Sequence, residues 1–244
     1  MKLSGKEPNK LRLQVFLSHN GVCSRRRAMD IIQEGRVELN GQVCREPSTS
    51  VDASRDQVFV DGKRIQGKEY DYVVLNKPAG YTTTKSDRHA EKTILDLLPG
   101  KFRHLSPAGR LDRDTEGLLL LTNDGDAAYR LTHPKFNVDK TYFARITGRL
   151  EEDRKKRLEQ GVVIEGKKTS ACRIKDVKVL KDKTELAITI HEGRKRQIRL
   201  MFASAGHKVI YLKRLAQGPL VLGALKIGQW RLLSQIEIEQ LKKR

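Results

Sequence analysis

The residues best suited to chemistry form an acidic loop at residues 109–117, where three carboxylates alternate with two arginines between flanking glycines. Four consecutive leucines follow the loop directly and predict a buried strand. A loop anchored to a buried strand is a rigid base from which one carboxylate can be aimed at a substrate. The acids are Asp112, Asp114 and Glu116, and these residue types alone do not choose between Asp112 and Asp114 as the reactive group.

Three other interpretations of the acidic loop compete with this one. Its start resembles a calcium-binding loop, but Asn123 stands at the twelfth position, where such loops carry a bidentate glutamate. A glycosidase-like acid pair is a second interpretation, although the neighbouring arginines would lower the pKa of both carboxyls, which suits a nucleophile better than a general acid. The third is an ion-paired structural turn with no chemical role.

No cofactor and no metal site is predicted from the rest of the chain. Segment 161–168 superficially matches a phosphate-binding loop, but Lys168 replaces the hydroxyl residue that binds magnesium, and the Val-Val-Ile run favours a strand. The three cysteines, Cys23, Cys44 and Cys172, form no CxxC pair. They therefore argue against a disulfide framework and a structural zinc site, and favour reduced thiols in the cytoplasm.

The composition indicates a basic, soluble protein. Its 244 residues include 49 Lys and Arg against 30 Asp and Glu, which gives a net charge of +19. The longest apolar run is far shorter than the ~20 residues that span a bilayer. The polar first residues lack the apolar core of a secretion signal. Such a charge predicts a polyanionic partner, and RNA is the most abundant polyanion of a cytoplasm.

Two clusters concentrate this charge. Arg25, Arg26 and Arg27 stand in the first turn of a predicted helix capped by Ser24, where cations are otherwise unfavourable, so they indicate an anionic partner. Segment 191–214 carries seven Lys and Arg against a single acid. That much charge on a structured element predicts contact with an RNA backbone.

Two predicted domains position these groups, after a flexible basic tail at residues 1–10. Residues 11–67 combine two helices with two short hairpins around Asn-Gly and Asp-Gly turns. Residues 68–244 are mostly strands, including a buried one at 118–122, interspersed with helices such as the one at 196–205. The predicted fold class is α+β, with a small helical-hairpin module before a mostly β domain.

Several motifs, in order along the chain, resemble those of the RsuA-type rRNA pseudouridine synthases. The acidic loop and the strand after it, residues 109–125, look like the catalytic motif of that family. Residues 11 to about 55 resemble the small S-four-like RNA-binding domain that precedes the synthase domain. The resemblance covers nearly the whole chain. The other matching segments are residues 75–80, 140–142, 192–202, 206–207 and 212–223.

This resemblance implies a role for each matching residue. Asp112 would be the catalytic aspartate, Arg199 would pair with its carboxylate, and Tyr142 would stack on a uracil flipped out of the RNA. Leu220 would wall the base pocket. The residues implied to bind substrate, mainly through the RNA backbone, are Lys77, Arg110, Arg196 and Lys213.

The resemblance also implies the reaction, which is site-specific isomerisation of uridine to pseudouridine in ribosomal RNA, with the large subunit favoured and no cofactor or metal. The implied architecture is a small α/β RNA-binding domain, then a mixed, mainly antiparallel synthase domain with flanking helices. The expected partner is ribosomal RNA or a pre-ribosomal particle, bound by a cytoplasmic monomer with no membrane partner. The alternatives are an inactive RNA-binding assembly factor, a small-subunit or tRNA-directed synthase, and a metal-dependent nuclease.

Overall fold

The chain forms two compact units, and the boundary between them falls between Tyr70 and Asp71. Residues 1–9 of the predicted tail at 1–10 lie outside the described residues, as do residues 66–69, where the two predicted domains meet, so the expected domain limits stay predictions. Within the described part of the chain, every helix is too short or too polar to cross a lipid bilayer. The computed structural model describes residues 10–53, 55–65, 70–84 and 91–243.

The first unit packs two helices against short strands. Its elements are β1 (Lys10–Arg12), α1 (Leu13–His19), α2 (Arg25–Gln33), β2 (Val37–Leu39), β3 (Gln42–Val43), β4 (Ser50–Asp52), β5 (Val58–Val60) and β6 (Lys63–Ile65). The strands form a four-stranded antiparallel sheet in the order β3-β2-β5-β6 and a separate β1-β4 pair. Lys10 therefore belongs to a strand rather than to a tail.

The local signals of this unit act as expected. The Ser24 hydroxyl accepts a hydrogen bond from the Arg27 backbone N–H at 3.3 Å and caps α2. Both hairpins turn on an Asn-Gly or Asp-Gly pair in which Asn40 and Asp61 have positive φ, as such turns require. The apolar faces of both helices are buried in the core. The predicted helix–helix–hairpin order is confirmed.

The second unit is built on one large mixed sheet. Its strands are β7 (Tyr72–Lys77), β8 (Ser106–Pro107), β9 (Glu116–Thr122), β10 (Lys140–Thr147), β11 (Val163–Ile164), β12 (Lys167–Lys168), β13 (Arg173–Val179), β14 (Lys183–Ile190), β15 (Val209–Gln217), β16 (Leu220–Val221) and β17 (Trp230–Leu232). Its helices are α3 (Gly125–Thr132), α4 (Glu152–Glu159), α5 (Gln197–Ser204) and α6 (Gln235–Lys242), with 3₁₀ turns at Ile94–Leu97, Gly100–Phe102 and Pro134–Phe136.

The sheet runs β13-β14-β10-β15-β9-β7-β17, with β8 and β16 paired to β9 and β15 and a separate β11-β12 hairpin. Every pairing between two of the described strands is antiparallel except the one between β15 and β9, which is parallel and aligns Arg214 with Gly117. Gly117 has φ +106°, and a Cβ there would lie 2.2 Å from the Arg214 carbonyl oxygen. This glycine therefore lets the chain pass from the acidic loop into β9 directly beside β15.

Burial patterns show which face of the sheet carries the site. Along β10, Lys140, Tyr142, Ala144 and Ile146 are buried, while the alternate residues are half-buried. β7 and β9 are buried along almost their whole length, which matches the continuous apolar runs in the sequence.

The order of the elements and the strand pairings confirm the predicted α+β fold and the mainly antiparallel sheet.

Some predicted elements differ from the observed ones. The sequence predicts a short helix at 93–98, and the structure has a 3₁₀ turn there, with a capping box between Thr93 and Asp96. Segment 161–168, rejected above as a phosphate loop, forms the β11-β12 hairpin. The sequence also predicts a strand at 70–75 ended by a turn at 77–80, whereas β7 continues through Lys77. That last difference alters the interpretation of Lys77 in the site.

Candidate active site

A cavity lies between the acidic loop, the buried face of β10, the end of β15 and the start of α5. It encloses about 180 Å³, less than the roughly 300–1,000 Å³ typical of pockets for drug-sized ligands. The space therefore suits one small ring. Residues that line it include Arg110, Asp112, Lys140, Tyr142, Arg196 and Arg214.

The two candidate carboxylates of the acidic loop have different surroundings. Asp112 is half-buried and lines the cavity, and its carboxylate makes no hydrogen bond or ion pair with the described residues. Asp114 receives hydrogen bonds from Arg196 at 3.2 and 3.1 Å and an ion pair from Arg199 at 3.2 Å. Partial burial raises the pKa of Asp114, but the two arginines outweigh it and hold that pKa below its usual value. Asp112 is the carboxylate available to a ligand in the cavity.

A tight turn separates these two side chains. The Thr115 N–H donates to the Asp112 carbonyl oxygen at 3.0 Å. The residues on either side of Asp112 are also bound. The Thr83 hydroxyl donates to the Leu111 carbonyl oxygen at 2.8 Å, and the Gly80 N–H donates to the Arg113 carbonyl oxygen at 2.7 Å. Because the loop is tied along both sides of Asp112, its position is set by the backbone rather than by a partner of its carboxylate.

Lys77 forms the internal anchor of the acidic loop. It is the last residue of β7, and its side chain is fully buried. Its ammonium donates to the carbonyl oxygens of Pro78, Asp112 and Thr115 at 3.0, 3.1 and 2.9 Å. Burial lowers the pKa of Lys77 to about 8, although the nearby acids act in the opposite direction. The prediction that Lys77 binds the RNA backbone is wrong, because a buried ammonium has no surface to offer a phosphate.

Arg199 anchors the far end of the loop. Its Nη2 donates to the Asp114 carbonyl oxygen at 2.9 Å, and its Nη1 donates to the Val209 carbonyl oxygen at 3.0 Å. Among the described contacts it makes none with the Asp112 carboxylate, so the expected Arg199–Asp112 pair is corrected. The physical reason is the turn at Asp112, which directs the neighbouring acid at Asp114 toward α5.

Arg196 holds the same acid from the start of α5. It is a non-glycine residue at φ +53° and ψ +25°, a left-handed conformation that an L-residue adopts at some cost. The geometry lets both of its Nη atoms reach the Asp114 carboxylate. Arg196 remains exposed and also lines the cavity, so it can still meet a phosphate at the rim.

The cavity has an aromatic and apolar lining on the sheet side. Tyr142 is 8% exposed and projects from the buried face of β10. Ile190, Ile198 and Leu212 line the same space. A tyrosine ring among aliphatic side chains offers a face for stacking and excludes water from what it covers.

Two buried cations that the sequence analysis did not select as site residues also line the cavity. Arg214 is 2% exposed, its Nε donates to the Leu118 carbonyl oxygen at 2.7 Å, and its Nη2 has no partner among the described residues. Lys140 donates to the Val138 and His191 carbonyl oxygens at 3.1 and 3.3 Å, and its burial lowers its pKa. Strand alternation was the available signal, since β15 directs Arg214 inward.

Comparison with known proteins gives the family. Residues 71–204 match the family model described as RNA pseudouridylate synthase, and residues 11–58 match the S4 domain. The chain belongs to the RNA pseudouridine synthase family. The predicted family and the predicted isomerase activity on RNA are therefore confirmed.

Related proteins match this pseudouridine synthase over nearly its whole length. It is 41% identical to ribosomal large subunit pseudouridine synthase B of Bacillus subtilis, over 95% of each chain. It is 42% identical to an RNA pseudouridine synthase of Aquifex aeolicus, over 96% of this chain and 94% of the relative. A crystal structure of a pseudouridylate synthase superposes with a TM-score of 0.66 at 33% identity, covering 95% and 99% of the two chains.

The structure of this pseudouridine synthase places the remaining predicted residues unevenly. Arg110 is exposed at the cavity wall. Lys213 is half-buried in β15, next to the inward-facing Arg214. Leu220 is fully buried in β16 and is not part of the cavity lining, so its expected place in the pocket wall is corrected. The reason is that β16 pairs with the end of β15 and directs Leu220 into the core.

The arginine triplet belongs to the S4 domain. Arg25, Arg26 and Arg27 are all exposed in the first turn of α2. Arg27 forms ion pairs with Glu34 at 3.3 Å and with Asp30 at 3.6 Å. Arg26 makes no hydrogen bond or ion pair with the described residues. The three side chains therefore differ in how freely each can meet a phosphate.

Proposed function

We propose that this enzyme isomerises a uridine of large-subunit ribosomal RNA, with Asp112 as the catalytic group acting on a base flipped into the cavity. The observation that carries the proposal is the contrast within the acidic loop. Asp114 is neutralised by two arginines, whereas the Asp112 carboxylate faces the cavity and makes no hydrogen bond or ion pair with the described residues. Held in place by its loop, this carboxylate is open to a ligand in the cavity.

The reaction needs little more than such a carboxylate. The N1–C1′ glycosidic bond of uridine breaks, the uracil turns, and C5 joins C1′; C5 gives up a proton and N1 gains one. Asp112 assists departure of the uracil by attack at C1′ or by taking a proton from C2′ of the ribose. Both routes use the ionised carboxylate, and neither requires a redox step or a group donor.

The lining of the cavity supports the handling of a free uracil. Tyr142 offers a ring face for stacking, and the aliphatic residues around it limit access of water. Extruding a base costs a few kcal/mol of stacking and pairing. Phosphate contacts from the exposed Arg110 and Arg196 at the rim offset part of that cost.

The large-subunit target rests on the relative from Bacillus subtilis, whose name specifies the ribosomal large subunit. A net charge of +19 and an S4 domain with an exposed arginine triplet fit a long structured RNA. The cytoplasmic location and the monomeric state stay predictions. Size-exclusion chromatography with light scattering checks the second.

The deciding experiment maps pseudouridine on protein-free rRNA after incubation with purified enzyme. Carbodiimide adducts followed by primer extension should give a new stop at one large-subunit uridine with the wild type and none with Asp112→Asn. The matched control is Asp114→Asn, the same substitution two residues along the loop. It should keep the stop with a reduced rate, since it loosens the loop but leaves the cavity carboxylate intact.

Four results contradict parts of this proposal. A stop with Asp112→Asn at the wild-type rate removes Asp112 as the catalytic group. A stop only in small-subunit rRNA or in tRNA corrects the substrate. No stop with the wild type on either rRNA or on assembly intermediates leaves an inactive RNA-binding factor. Cleavage of the RNA by the purified protein that a chelator abolishes would instead favour the metal-dependent nuclease.

A further inference from the structure

An exposed aromatic cluster adjoins the cavity and takes no part in the site described above. Tyr129 lies in the last turns of α3, and His133 and Phe136 follow it around the 3₁₀ turn Pro134–Phe136. The ring centroids of Tyr129 and His133 are 4.7 Å apart, and those of Tyr129 and Phe136 are 5.7 Å apart. The three rings therefore form one contiguous surface from a single short segment.

This cluster is not closed on itself. Tyr129 is 46% exposed and Phe136 is 38% exposed. Rings that served only to close the turn would bury their faces against each other or against the core. Phe136 also borders a small apolar cavity together with Leu131 and Val138. The rings therefore keep exposed aromatic surface beyond their contacts with each other.

A cation lies at the same surface. The Lys135 ammonium is 5.0 Å from the centroid of the Tyr129 ring and 4.7 Å from that of Phe136. The ammonium lies over a face of each ring, and exposed rings with such a mobile cation are the combination that binds single-stranded nucleic acid. A base that takes the place of the ammonium stacks on the ring, and the displaced cation meets the phosphate. The patch therefore fits an RNA partner better than an apolar protein surface, which the ammonium would oppose.

The cluster is adjacent to the cavity, because its sequence neighbours line the cavity. Thr132 and Pro134 line the cavity, and they are the immediate neighbours of His133 in sequence. Consecutive Cα atoms are about 3.8 Å apart, so the rings begin within one residue of the cavity wall. With the target uridine in the cavity, this rim lies within reach of an adjacent nucleotide.

We propose that Tyr129, His133 and Phe136, together with Lys135, form a stacking platform for an unpaired base next to the target uridine in the substrate RNA. The proposal rests on the base flipping proposed above. Flipping a uridine leaves its neighbour without a stacking partner, and the platform replaces the lost contact. It would favour RNA in which the flanking nucleotide is unpaired, such as a loop or bulge, over a continuous helix.

The test uses a short single-stranded oligouridylate that carries one 2-aminopurine, whose fluorescence is quenched when it stacks on an aromatic ring. Binding to the full-length wild type should quench the fluorophore. The double variant Tyr129→Leu/Phe136→Leu keeps apolar side chains but removes two rings. We expect it to lose the quenching and to bind the labelled RNA about tenfold more weakly.

The matched control is Phe143→Leu, which also replaces an aromatic ring by leucine. Phe143 lies on the half-buried face of β10, and Tyr142 lies on the other face of that strand. It should leave both quenching and affinity unchanged. Circular dichroism and thermal melting establish that each variant is folded. Equal quenching and affinity in wild type and double variant overturn the platform, as does an equal loss with Phe143→Leu.

The binding readouts separate this proposal from the proposed function. A wild type that makes no pseudouridine in any RNA but still shows ring-dependent quenching supports the platform and overturns the activity. If the wild type forms pseudouridine at a rate that the two rings do not affect, and its binding does not quench the fluorophore, the activity is supported and the platform is overturned.

Discussion

The arginines at the start of α2 and the cations around the acidic loop are basic side chains in opposite environments. Arg25, Arg26 and Arg27 project into solvent. Lys77 is fully buried and Arg199 largely so, and both donate to carbonyl oxygens of the loop. Positive charge in this sequence therefore has two uses. Exposed cations are available to a polyanion, whereas buried ones hold the backbone that carries Asp112, the carboxylate at the cavity.

The largest expected effect comes from removing the internal anchor. Lys77→Met keeps the length of the side chain but loses the hydrogen bonds to the loop carbonyls. We expect the single-turnover rate at saturating RNA to fall by about 100-fold, since a displacement of about 1 Å in a catalytic group costs that much. RNA affinity should change little, because Lys77 meets no phosphate. A selective loss of affinity with an unchanged rate would restore Lys77 to the RNA interface.

The same lysine predicts a pH dependence of stability. Its pKa is about 8 in the folded protein against an ordinary value of 10.5. Between these values the unfolded chain binds the proton and the folded chain does not, so the free energy of unfolding rises with pH through this window. Relative to Lys77→Met, the wild type should gain on the order of 1–3 kcal/mol from pH 8 to pH 10.5. Urea unfolding of both proteins at the two pH values measures this difference, and parallel curves would refute it.

A smaller effect is expected at the far anchor of the loop. Arg199→Ala removes contacts with Asp114 but leaves those of Arg196, so the rate should fall about tenfold while the affinity for RNA changes less. Arg199→Lys should recover part of the rate. Arg145→Ala, which breaks an ion pair with Glu185 elsewhere on the sheet, is the control and should retain the wild-type rate. A loss confined to affinity would place Arg199 with the exposed cations.

The smallest effect belongs to the exposed triplet. Arg26→Ala should lower RNA affinity about threefold and flatten the plot of log affinity against log salt by about one unit. Arg27→Ala should flatten it less, because Arg27 already pairs with Glu34 and Asp30. Binding titrations between 50 and 200 mM salt measure both slopes. Neither variant should change the rate at saturating RNA, and an unchanged slope for Arg26→Ala would remove it from the RNA-binding face.

Much of the fold could be predicted because its signals are local. Ser24 caps a helix, Asn40-Gly41 and Asp61-Gly62 form turns, and the leucines of β9 are buried. The sequence also predicted the acidic loop as the centre of the chemistry. Elements with weak periodicity, such as the highly charged α4, were missed. Its single buried residue, Leu158, gives too little apolar pattern to mark a helix face.

The sequence by itself determined the family, the α+β class and the loop that carries the carboxylates, since each depends on residue types at fixed spacing. Only the tertiary structure decided which cations serve the loop. Whether Lys77, Arg199 or Arg214 meets a carbonyl, a carboxylate or a phosphate depends on burial and on partners far away in the chain. A basic residue carries the same charge in every context, and only its surroundings determine which partner it binds.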